Sequence, residues 1–497
     1  MNYTSTRGRG QSVPSAGAIL RGIAPDGGLY VPESLPALTL EDIRTLCGQE
    51  YVGRAVWVLS RFLTDFTGEE LETCAAAAYG GGRFDDDRPA PLAVLGDEAI
   101  LLELWHGPTC AFKDMALQLL PGLLTASAAK CGCGREAAIL VATSGDTGKA
   151  ALEGFKDVPG ARIQVFYPTQ GVSAMQKLQM TAQEGRNVSV VGVRGNFDDC
   201  QRGVKAIFTD PDLMGRAEGL GCFFSSANSI NWGRLVPQIV YYVSAYCDLV
   251  SEGRLALGDP VNICVPTGNF GNILAAYYAG RMGLPVKKLI CASNRNNVLT
   301  DFLRTGAYDR NRPFYATSSP SMDILVSSNL ERLLYHLSGE DCGLVAGLMA
   351  ELEGQGRYAL PGAMHDALGR DFWGTFCDEK DTRETIRRVL DTYGYLPDPH
   401  TAVAVHGAAR YRAQTGDDTP MLVASTASPY KFAPGVLAAL GVPAPSGDEF
   451  ASLDLLKSLS GAPVPGPILG LRTAKARFLD QCAPGEMAEE TLRFLAR

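Results

Sequence analysis

The chain of 497 residues is long enough for several domains, and its composition of 46% hydrophobic and 20% charged residues is that of a globular protein. The formal net charge is −9 with both signs interspersed, so no nucleic-acid partner is expected, although a local cationic pocket could take a small anionic substrate. No apolar run approaches the length of a membrane span and the polar N-terminus lacks a signal-peptide core, which predicts a cytoplasmic protein without a membrane partner.

The 13 cysteines and five histidines are scattered along the chain. The close pair Cys131 and Cys133 has no second pair to match it, and no histidine belongs to an H-E-x-x-H motif. Zinc sites that can be recognised from sequence need such paired ligands. No metal is therefore expected, and the cysteines are expected to be reduced thiols.

Residues 1–95 form the first predicted region. A turn-rich segment at 22–32, with the strong turn signal Asp-Gly-Gly, precedes a helical pattern at 51–63. A polar stretch at 80–89 separates these elements from the next part of the chain. The sequence therefore predicts an N-terminal domain over residues 1–95.

After this region, short apolar runs alternate with segments of helical length. Strands are predicted at 99–104, 137–142, 163–167, 188–193, 261–265, 288–292 and 420–425. Helices are predicted at 113–120, where Pro121 should end or kink the helix, and at 148–155, 173–184, 198–208 and 273–282. The alternation predicts parallel sheets covered on both faces, an α/β fold, and residues 340–385 are predicted to be a helical insertion.

Lys113 lies in the stretch His-Gly-Pro-Thr-Cys-Ala-Phe-Lys-Asp at the predicted start of a helix. Apolar neighbours such as Phe112 and Met115 would lower the pKa of its amine and favour imine chemistry. A lysine at a helix start is, however, more often a surface charge. Both interpretations stay open for this residue alone.

The run Ala-Thr-Ser-Gly-Asp-Thr-Gly at 142–148 is a small polar loop between a predicted strand and a predicted helix. Its backbone and hydroxyl groups could bind a carboxylate, and Asp146 could accept a hydrogen bond from a phenol. Asp146 or Thr147 could instead cap the helix after the loop.

Residues 225–234, Ser-Ser-Ala-Asn-Ser-Ile-Asn-Trp-Gly-Arg, concentrate hydroxyl and amide side chains beside Arg234. Such a set suits a small polyanionic ligand. A capped helix start with a solvated arginine is the alternative.

The loop Pro-Thr-Gly-Asn-Phe-Gly-Asn at 266–272 joins a predicted strand to a predicted helix. Gly268 and Gly271 would let backbone N–H groups turn inward, and a helix start adds free N–H donors and a positive dipole end. A phosphate fits there, but the spacing is neither G-x-G-x-x-G nor the Walker pattern, which disfavours a nucleotide. An ordinary glycine-rich turn is the alternative.

The segment 422–432, Leu-Val-Ala-Ser-Thr-Ala-Ser-Pro-Tyr-Lys-Phe, ends a predicted strand with Ser425 and Thr426. At the carboxyl end of a parallel strand such a hydroxyl can face a central crevice. A plain turn closed by the hydroxyl is the alternative.

Together these loops supply what pyridoxal phosphate needs. The cofactor requires an amine for its aldehyde, a glycine loop for its phosphate, and partners for its phenolic oxygen and its ring nitrogen. Each of the four groups lies on a loop at the end of a predicted strand or helix. Pyridoxal 5'-phosphate is therefore the expected cofactor.

The same motifs make the sequence resemble the threonine synthase family, pyridoxal-phosphate enzymes of the tryptophan-synthase-β-like fold (fold type II), in its longer subgroup with an N-terminal domain. The combination of H-G-P-T-x-A-F-K-D with S-G-D-T-G and N-S-I-N is specific. The resemblance covers nearly the whole chain, including residues 22–32, 105–118, 143–148, 167–180, 227–242, 267–272, 319–324, 328–332, 398–402 and 425–432. It implies a large cofactor-binding domain over residues 96–125 and 216–497 and a small α/β domain over 126–215, with the cofactor in the cleft.

The resemblance also implies roles for individual residues. Lys113 would be the catalytic lysine that forms the Schiff base. The cofactor phosphate would be held by Gly268, Asn269, Phe270, Gly271 and Asn272. Asp146 would face the phenolic oxygen and Thr426 the ring nitrogen. The substrate would contact Ser144, Thr147, Ser229, Asn231 and Arg234.

One departure from the family pattern lies in the last loop. The family often has T-A-H-P-A-K-F, whereas Ser428 and Tyr430 stand here in place of the histidine and the alanine. The contact of Thr426 with the ring nitrogen should survive this change, while any role of the histidine would be lost.

The implied reaction converts O-phospho-L-homoserine and water to L-threonine and phosphate by γ-elimination and β-addition of water, the last step of threonine biosynthesis, in a monomer or homodimer. Three alternatives remain: a phospholyase on the same scaffold, a hydroxyamino-acid dehydratase, and a non-catalytic protein that kept the fold. Release of oxobutyrate and ammonia would indicate the first of them.

Overall fold

The computed structural model describes residues 1–8, 11–143, 145–170 and 172–497. Its N-terminal region contains β1 (Asn2–Ser5), β2 (Val13–Pro14), α1 (Ser15–Arg21), β3 (Tyr30–Pro32), α2 (Leu40–Cys47), α3 (Tyr51–Phe62) and α4 (Gly68–Tyr79). The three strands form an antiparallel sheet in the order β2-β1-β3. Capping boxes begin two of the helices, with Thr39 before α2 and Thr67 before α4, so these starts are encoded locally.

The central part of the chain alternates strands and helices. It contains β4 (Leu92–Leu95), β5 (Ala99–Glu103), α5 (Asp114–Leu117), α6 (Leu120–Lys130), β6 (Glu136–Ala142), α7 (Asp146–Phe155), β7 (Ala161–Pro168), α8 (Ala174–Thr181), β8 (Val188–Val193), α9 (Phe197–Thr209), α10 (Pro211–Gly219), β9 (Cys222–Ser225), α11 (Trp232–Ser251), β10 (Val261–Pro266), α12 (Gly271–Met282) and β11 (Val286–Ser293).

The remaining part is richer in helix. It contains α13 (Val298–Thr305), β12 (Ala307–Asp309), α14 (Leu330–Leu337), α15 (Cys342–Gln355), β13 (Arg357–Ala359), α16 (Gly362–Asp371), β14 (Phe372–Phe376), α17 (Glu379–Tyr393), α18 (Pro399–Thr415), β15 (Met421–Ser425), α19 (Ala433–Ala439), α20 (Glu449–Ser460), α21 (Gly466–Leu469), β16 (Gln481–Cys482) and α22 (Met487–Leu495). Within the described ranges, no helix combines the length and the apolar character needed to cross a bilayer.

Two sheets organise these elements. The larger has the order β14-β11-β10-β15-β5-β4, and all neighbours in it are parallel except β4 and β5. The smaller has the order β16-β8-β7-β6-β9 and is parallel throughout. The central strands β8 and β10 are buried along their whole length, as expected when both faces are covered. The predicted α/β fold with two parallel sheets is confirmed.

All seven predicted strands are present, and β8 has the predicted bounds. The predicted helix at 113–120 is divided, because α5 ends at Leu117 and α6 begins at Leu120. Pro121 therefore stands in the first turn of α6 and does not end the preceding helix. A proline is tolerated there because the first N–H groups of a helix have no intrahelical acceptor.

Several short strands escaped prediction. The smaller sheet includes β9 and β16, which lie outside residues 126–215, and β14 forms an edge of the larger sheet. Residues 340–385, predicted to be helical, also contain β13 and β14. These strands have two to five residues, too few to display a periodic pattern of hydrophobicity. The domain boundaries at residues 95, 125 and 215 stay predictions.

The N-terminal region is joined to the rest of the molecule through two ion pairs and a hydrogen bond from a buried arginine. Arg54 pairs with Asp248 of α11 at 2.6 Å. Arg7 pairs with Glu331 of α14 at 2.7 Å, and the Nε of Arg332 donates to the backbone oxygen of Tyr30 at 2.9 Å. The start of α14 is thereby held against the N-terminal sheet.

Candidate active site

The candidate site lies at the carboxyl edge of the larger sheet. Because β5, β15 and β10 are parallel neighbours, the loops after these strands meet at one edge. The backbone N–H of Phe112 donates to the oxygen of Thr426 at 2.8 Å, and Ala111 forms a bridge with Ala427. The loop after β6 in the smaller sheet faces them and supplies Asp146, so the site lies between the two sheets.

Lys113 is buried and its amine contacts polar groups of two other segments. Its Nζ lies 3.7 Å from Oδ2 of Asp146 and donates to Oγ of Ser321 at 3.4 Å. It also lies 4.9 Å from the ring centre of Phe112. The lysine and the acidic residue predicted for the cofactor are therefore in direct contact, and Lys113 is not a surface charge.

A second lysine, Lys431, shares the same carboxylate. Its side chain is fully buried, and its Nζ lies 2.8 Å from Oδ1 of Asp146 and donates to the backbone oxygen of Thr109 at 2.7 Å. Gln176 donates to the same Oδ1 at 3.0 Å. Asp146 therefore bridges two lysines, and Lys431 anchors the loop that leads to Lys113.

The pKa values of this group are set by burial and mutual charge. Burial by itself would raise the pKa of Asp146, but Lys431 first and Lys113 second outweigh it and hold that pKa well below its usual value. The pKa of Lys113 is lowered chiefly by burial, and the nearby cations Lys431 and Arg234 oppose the raising effect of Asp146. The two lysines therefore favour the ionised form of Asp146, while burial makes the Lys113 amine easier to deprotonate than an exposed lysine.

Asp114 shapes the loop in front of Lys113. It is fully buried and accepts hydrogen bonds from N and Oγ1 of Thr109 at 2.8 and 2.7 Å. Gly107 packs so closely that a Cβ there would lie 2.6 Å from Asp114. Burial raises the pKa of Asp114 to about 6. This carboxyl group organises the backbone and does not face the amine.

The loop between β10 and α12 presents backbone N–H groups. The oxygens of Gly268 and Asn269 are turned away, because Ser327 donates to the first at 2.7 Å and Asn329 to the second at 3.1 Å. Among the described residues, no backbone acceptor lies within hydrogen-bond distance of the N–H groups from Gly268 to Ile273. A series of free donors at a helix start is the arrangement that binds phosphate.

Of the two glycines in this loop, Gly268 is the one that leaves no room for a side chain. The residue with a positive φ is Phe270, at 64°, immediately before α12. Gly268 is needed because a Cβ there would lie 2.7 Å from the backbone oxygen of Ser321. Strained backbone at a non-glycine residue is typical of functional loops. Ser321 thus contacts both the loop and Lys113.

Arg234 lies in the first turn of α11 and is a buried cation without a carboxylate partner in the described part of the chain. Its Nη1 donates to the oxygen of Ala227 at 2.9 Å, while its buried Nε has no hydrogen-bond partner. Burial lowers its pKa to about 10. Asn272 is similar, because its Oδ1 accepts from Tyr242 while its buried Nδ2 has no partner. Such unsatisfied donors indicate a place for an anion.

The other residues predicted to contact the substrate lie in different parts of the site. Oγ of Ser229 lies 3.4 Å from Oγ of Ser328, which also contacts Asn269, so Ser229 is linked to the phosphate loop. Thr147 is half-buried in the first turn of α7, next to Asp146. Ser144 lies outside the described residues.

Asn231 has a structural role, and its substrate contact stays a prediction. Its Oδ1 accepts from the N–H of Gly233 and caps α11, and its Nδ2 donates to the oxygen of Ile19 at 3.0 Å. Both polar ends are used, and the side chain is buried. The capping alternative is thus the better description of this residue.

A buried network stands behind the site. The N–H of Ser321 donates to Nε2 of His400 at 3.2 Å, so the other ring nitrogen carries the proton and donates to Asp398 at 2.7 Å. Asp398 also accepts from Thr401, and Oγ1 of Thr401 accepts from the N–H of Thr426 at 3.3 Å. One carboxylate thereby positions Ser321 beside Lys113 and the backbone of Thr426.

No role was predicted for Lys431, Ser321 or His400, although all three lie in stretches that carry the family resemblance. A signal for Lys431 exists in its surroundings. It is the single charged residue in the segment 422–432. A charge inside an otherwise apolar and small-residue segment has to find a buried partner. The tertiary structure shows that the partner is Asp146.

The residues present fit pyridoxal phosphate. The site offers a buried amine at Lys113 and a loop of free N–H donors in which Gly268 leaves no room for a side chain. Of the buried cations, Lys431 pairs with Asp146, whereas Arg234 has no carboxylate partner among the described residues. Arg234 therefore suits a phosphate-bearing ligand.

Three family profiles match the sequence. The profile described as threonine synthase N terminus matches residues 2–79, that of pyridoxal-phosphate dependent enzymes matches residues 91–426, and that of the threonine synthase C-terminal region matches residues 401–458.

Individual proteins are similar over most of the chain. Threonine synthase-like 1 of Homo sapiens is 43% identical over 456 residues, which is 90% of this chain and 60% of that protein. The chain thus spans about three fifths of the length of that relative. Threonine synthase of Pseudomonas aeruginosa is 41% identical, over 87% of this chain and 89% of the relative. The crystal structure of a pyridoxal-phosphate-bound threonine synthase from Brucella melitensis has a TM-score of 0.89 and 38% identity, with both chains covered completely.

Proposed function

The chain belongs to the threonine synthase family of pyridoxal-phosphate-dependent enzymes, and on this premise we propose that it converts O-phospho-L-homoserine and water to L-threonine and phosphate in the cytoplasm. The observation that carries the proposal is Arg234, a buried cation whose Nε has no partner and whose charge acts on Lys113. A substrate phosphate near Lys113 would satisfy that guanidinium.

Lys113 would hold the cofactor aldehyde and then move protons on the substrate. Burial lowers the pKa of its amine, which favours the neutral form that a nucleophile and a base both require. Bound pyridoxal phosphate supplies the electron sink that makes protons on Cα and Cβ of an amino acid removable. The Lys113 amine would take the Cα proton, pass it on, and then take the Cβ proton as phosphate departs from Cγ. Water would then add its hydroxyl at Cβ, and the three protons from Cα, Cβ and this water would go to Cγ, to Cα and to the released phosphate.

The other residues would bind and orient. The N–H groups of the 268–272 loop and Asn272 would hold the cofactor phosphate, Asp146 would face the phenolic oxygen, and Thr426 would face the ring nitrogen. A neutral hydroxyl does not protonate that nitrogen, which would disfavour transamination. Arg234, Thr147 and Ser229 would hold the substrate phosphate, and Arg234 would stabilise its charge as it leaves.

The reaction is tested by product analysis with the purified protein loaded with pyridoxal phosphate. O-phospho-L-homoserine should yield L-threonine and phosphate in equal amounts. Oxobutyrate and ammonia in place of threonine would contradict the proposal and indicate the phospholyase. Turnover of unphosphorylated threonine or serine, with none of the phosphorylated substrate, would indicate a dehydratase.

The lysine assignment is tested by borohydride reduction and peptide mapping. Lys431 provides a strict comparison, because its amine is also buried and contacts the same Asp146. The pyridoxyl group should be found on Lys113 and be absent from the peptide that contains Lys431. A label on Lys431, or the absence of label from a protein that takes up no cofactor, would overturn the assignment.

A further inference from the structure

A group of three potential metal ligands lies outside the site described above. Cys377 comes directly after β14, Asp381 lies in the first turn of α17, and His406 lies in the second turn of α18. Their ligand atoms, a sulfur, a carboxylate oxygen and an imidazole nitrogen, all lie within 4.8 Å of one another. We propose that Cys377, Asp381 and His406 bind one divalent transition-metal ion of the Zn²⁺ class.

The distance between His406 and Asp381 suits a shared ion better than a direct hydrogen bond. Nε2 of His406 lies 3.6 Å from Oδ2 of Asp381, which is too long for a good hydrogen bond. Two ligand atoms held by one tetrahedral ion at its usual bond lengths lie about 3.3 Å apart. Nε2 is also buried and has no hydrogen-bond partner in the described structure. A bound ion would satisfy this nitrogen.

The sulfur is held loosely enough to change partners. Sγ of Cys377 lies 3.3 Å from the hydroxyl of Thr382 and 3.6 Å from the backbone oxygen of Asp378, both of which are weak contacts for a thiol. The ion would replace the thiol proton, which is released to solvent, and a sulfur–metal bond would form. No electron transfer is involved, and no reductant or oxidant is needed.

Ligand type and charge select the ion. A sulfur and an imidazole favour Zn²⁺ and its neighbours Co²⁺ and Ni²⁺ over Mg²⁺ and Ca²⁺, which prefer oxygen ligands throughout. The Cys377 thiolate and the Asp381 carboxylate together carry two negative charges, so a divalent ion leaves the site neutral. Three protein ligands leave one position open to water, and Asp381 and His406 are partly exposed, which gives the ion an entrance.

The ion would tie α17 to α18 and to the end of β14. The first turn of α18 carries His400 and Thr401, which position Ser321 and Thr426 in the active site. The proposed site therefore lies on the helix that supports the catalytic groups without touching the substrate. Its expected effect is on thermal stability, since an ion that binds only the folded state raises Tm.

The experiment uses the holoenzyme, stripped of metal by a chelator and titrated with Co²⁺, and then with Zn²⁺ as competitor. One equivalent of Co²⁺ should bind with a thiolate-to-metal absorption band, recorded as a difference from the cofactor spectrum, and Zn²⁺ should abolish that band and raise Tm. In Cys377→Ser the band should disappear, and in His406→Gln the affinity should fall by at least about 10-fold.

The Cys131→Ser/Cys133→Ser double variant is the matched control, because these two thiols form the close cysteine pair of the sequence and lie far from Cys377 along the chain. This double variant should keep the absorption band and still bind one equivalent of Co²⁺. Circular dichroism and cofactor uptake report whether each variant is folded, and His406→Gln keeps the test valid if Cys377→Ser does not fold. Absence of saturable Co²⁺ binding, binding that persists unchanged in both ligand variants, or binding lost in the control would each overturn the proposal.

Discussion

Replacement of Lys431 by methionine tests the ionic arrangement at the centre of the site. Methionine keeps most of the side-chain volume and removes the charge that lies 2.8 Å from Asp146. At that distance and an effective dielectric constant of about 20, two unit charges attract by about 6 kcal/mol. Desolvation offsets part of this attraction, and loss of one partner from a buried pair costs about 3–5 kcal/mol. We expect a loss of that size in the free energy of unfolding of Lys431→Met at pH 7.

The pH dependence of this loss has a definite sign. The pKa of Asp146 in the folded protein is below its usual value, so the stabilisation is complete above about pH 4 and is lost as pH falls through the folded pKa. In Lys431→Met, the largest charge that lowers the pKa of Asp146 is lost, so this pKa should rise toward its usual value. The difference between wild type and variant should therefore be constant from pH 5 to 8 and shrink in more acidic solution.

The assay is urea unfolding of the cofactor-loaded proteins, with Lys457→Met as the matched control. Lys457 is an exposed lysine in the last turn of α20, and its replacement should change stability by less than about 0.5 kcal/mol. A double-mutant cycle adds Asp146→Asn, which leaves Lys431 unpaired when made alone. The double variant should be more stable than the sum of the single losses predicts, by at least about 1.5 kcal/mol.

Two results would refute this reasoning. Additivity of Lys431→Met and Asp146→Asn within about 0.5 kcal/mol would mean that the two charges do not stabilise each other. Equal effects of the Lys431 and Lys457 replacements would mean that the buried position of Lys431 has no energetic consequence.

Three further predictions concern other parts of the site. Gly268→Ala should weaken cofactor binding about 5- to 150-fold, because the added Cβ would overlap the backbone oxygen of Ser321. Gly435→Ala is the control, because a Cβ there meets no neighbour, and it should leave the Kd measured by cofactor fluorescence unchanged. Equal effects of the two variants would contradict this prediction. Arg234→Gln should raise KM for O-phospho-L-homoserine at least about 10-fold. It should lower the free energy of unfolding by less than about 1 kcal/mol, because the lost cation has no carboxylate partner in the described structure. A large loss of stability with unchanged KM would assign Arg234 a structural role. Burial raises the pKa of Asp114 to about 6, so the stability that the protonated carboxyl group contributes is present below about pH 4 and is lost as pH rises through 6. The difference in unfolding free energy between wild type and Asp114→Asn should therefore change by about 3 kcal/mol between pH 4 and pH 7. A pH-independent difference would refute this prediction.

Much of the fold could be predicted from the sequence because its signals are local. Strands buried on both faces, such as β8 and β10, appear as continuous apolar runs and were found close to their true bounds. The helix start at Gly271 is marked by the glycine-containing loop before it. Edge strands such as β14 and β16 were missed because their pairing depends on distant partners and leaves no periodic pattern.

The sequence by itself determined the chemical types at the active site: a lysine in an apolar stretch, a phosphate-binding loop, an acid and a hydroxyl at strand ends. Only the tertiary structure decided which groups share a partner. Lys431 is 285 positions from Asp146 along the chain and yet contacts it. Likewise, Cys377, Asp381 and His406 do not have the spacing of a recognised metal motif and yet lie close together. Local patterns specify strands, helices and turns, whereas the environment that sets a side chain's charge and role is made of residues from distant segments, which only the packing of the two sheets brings together.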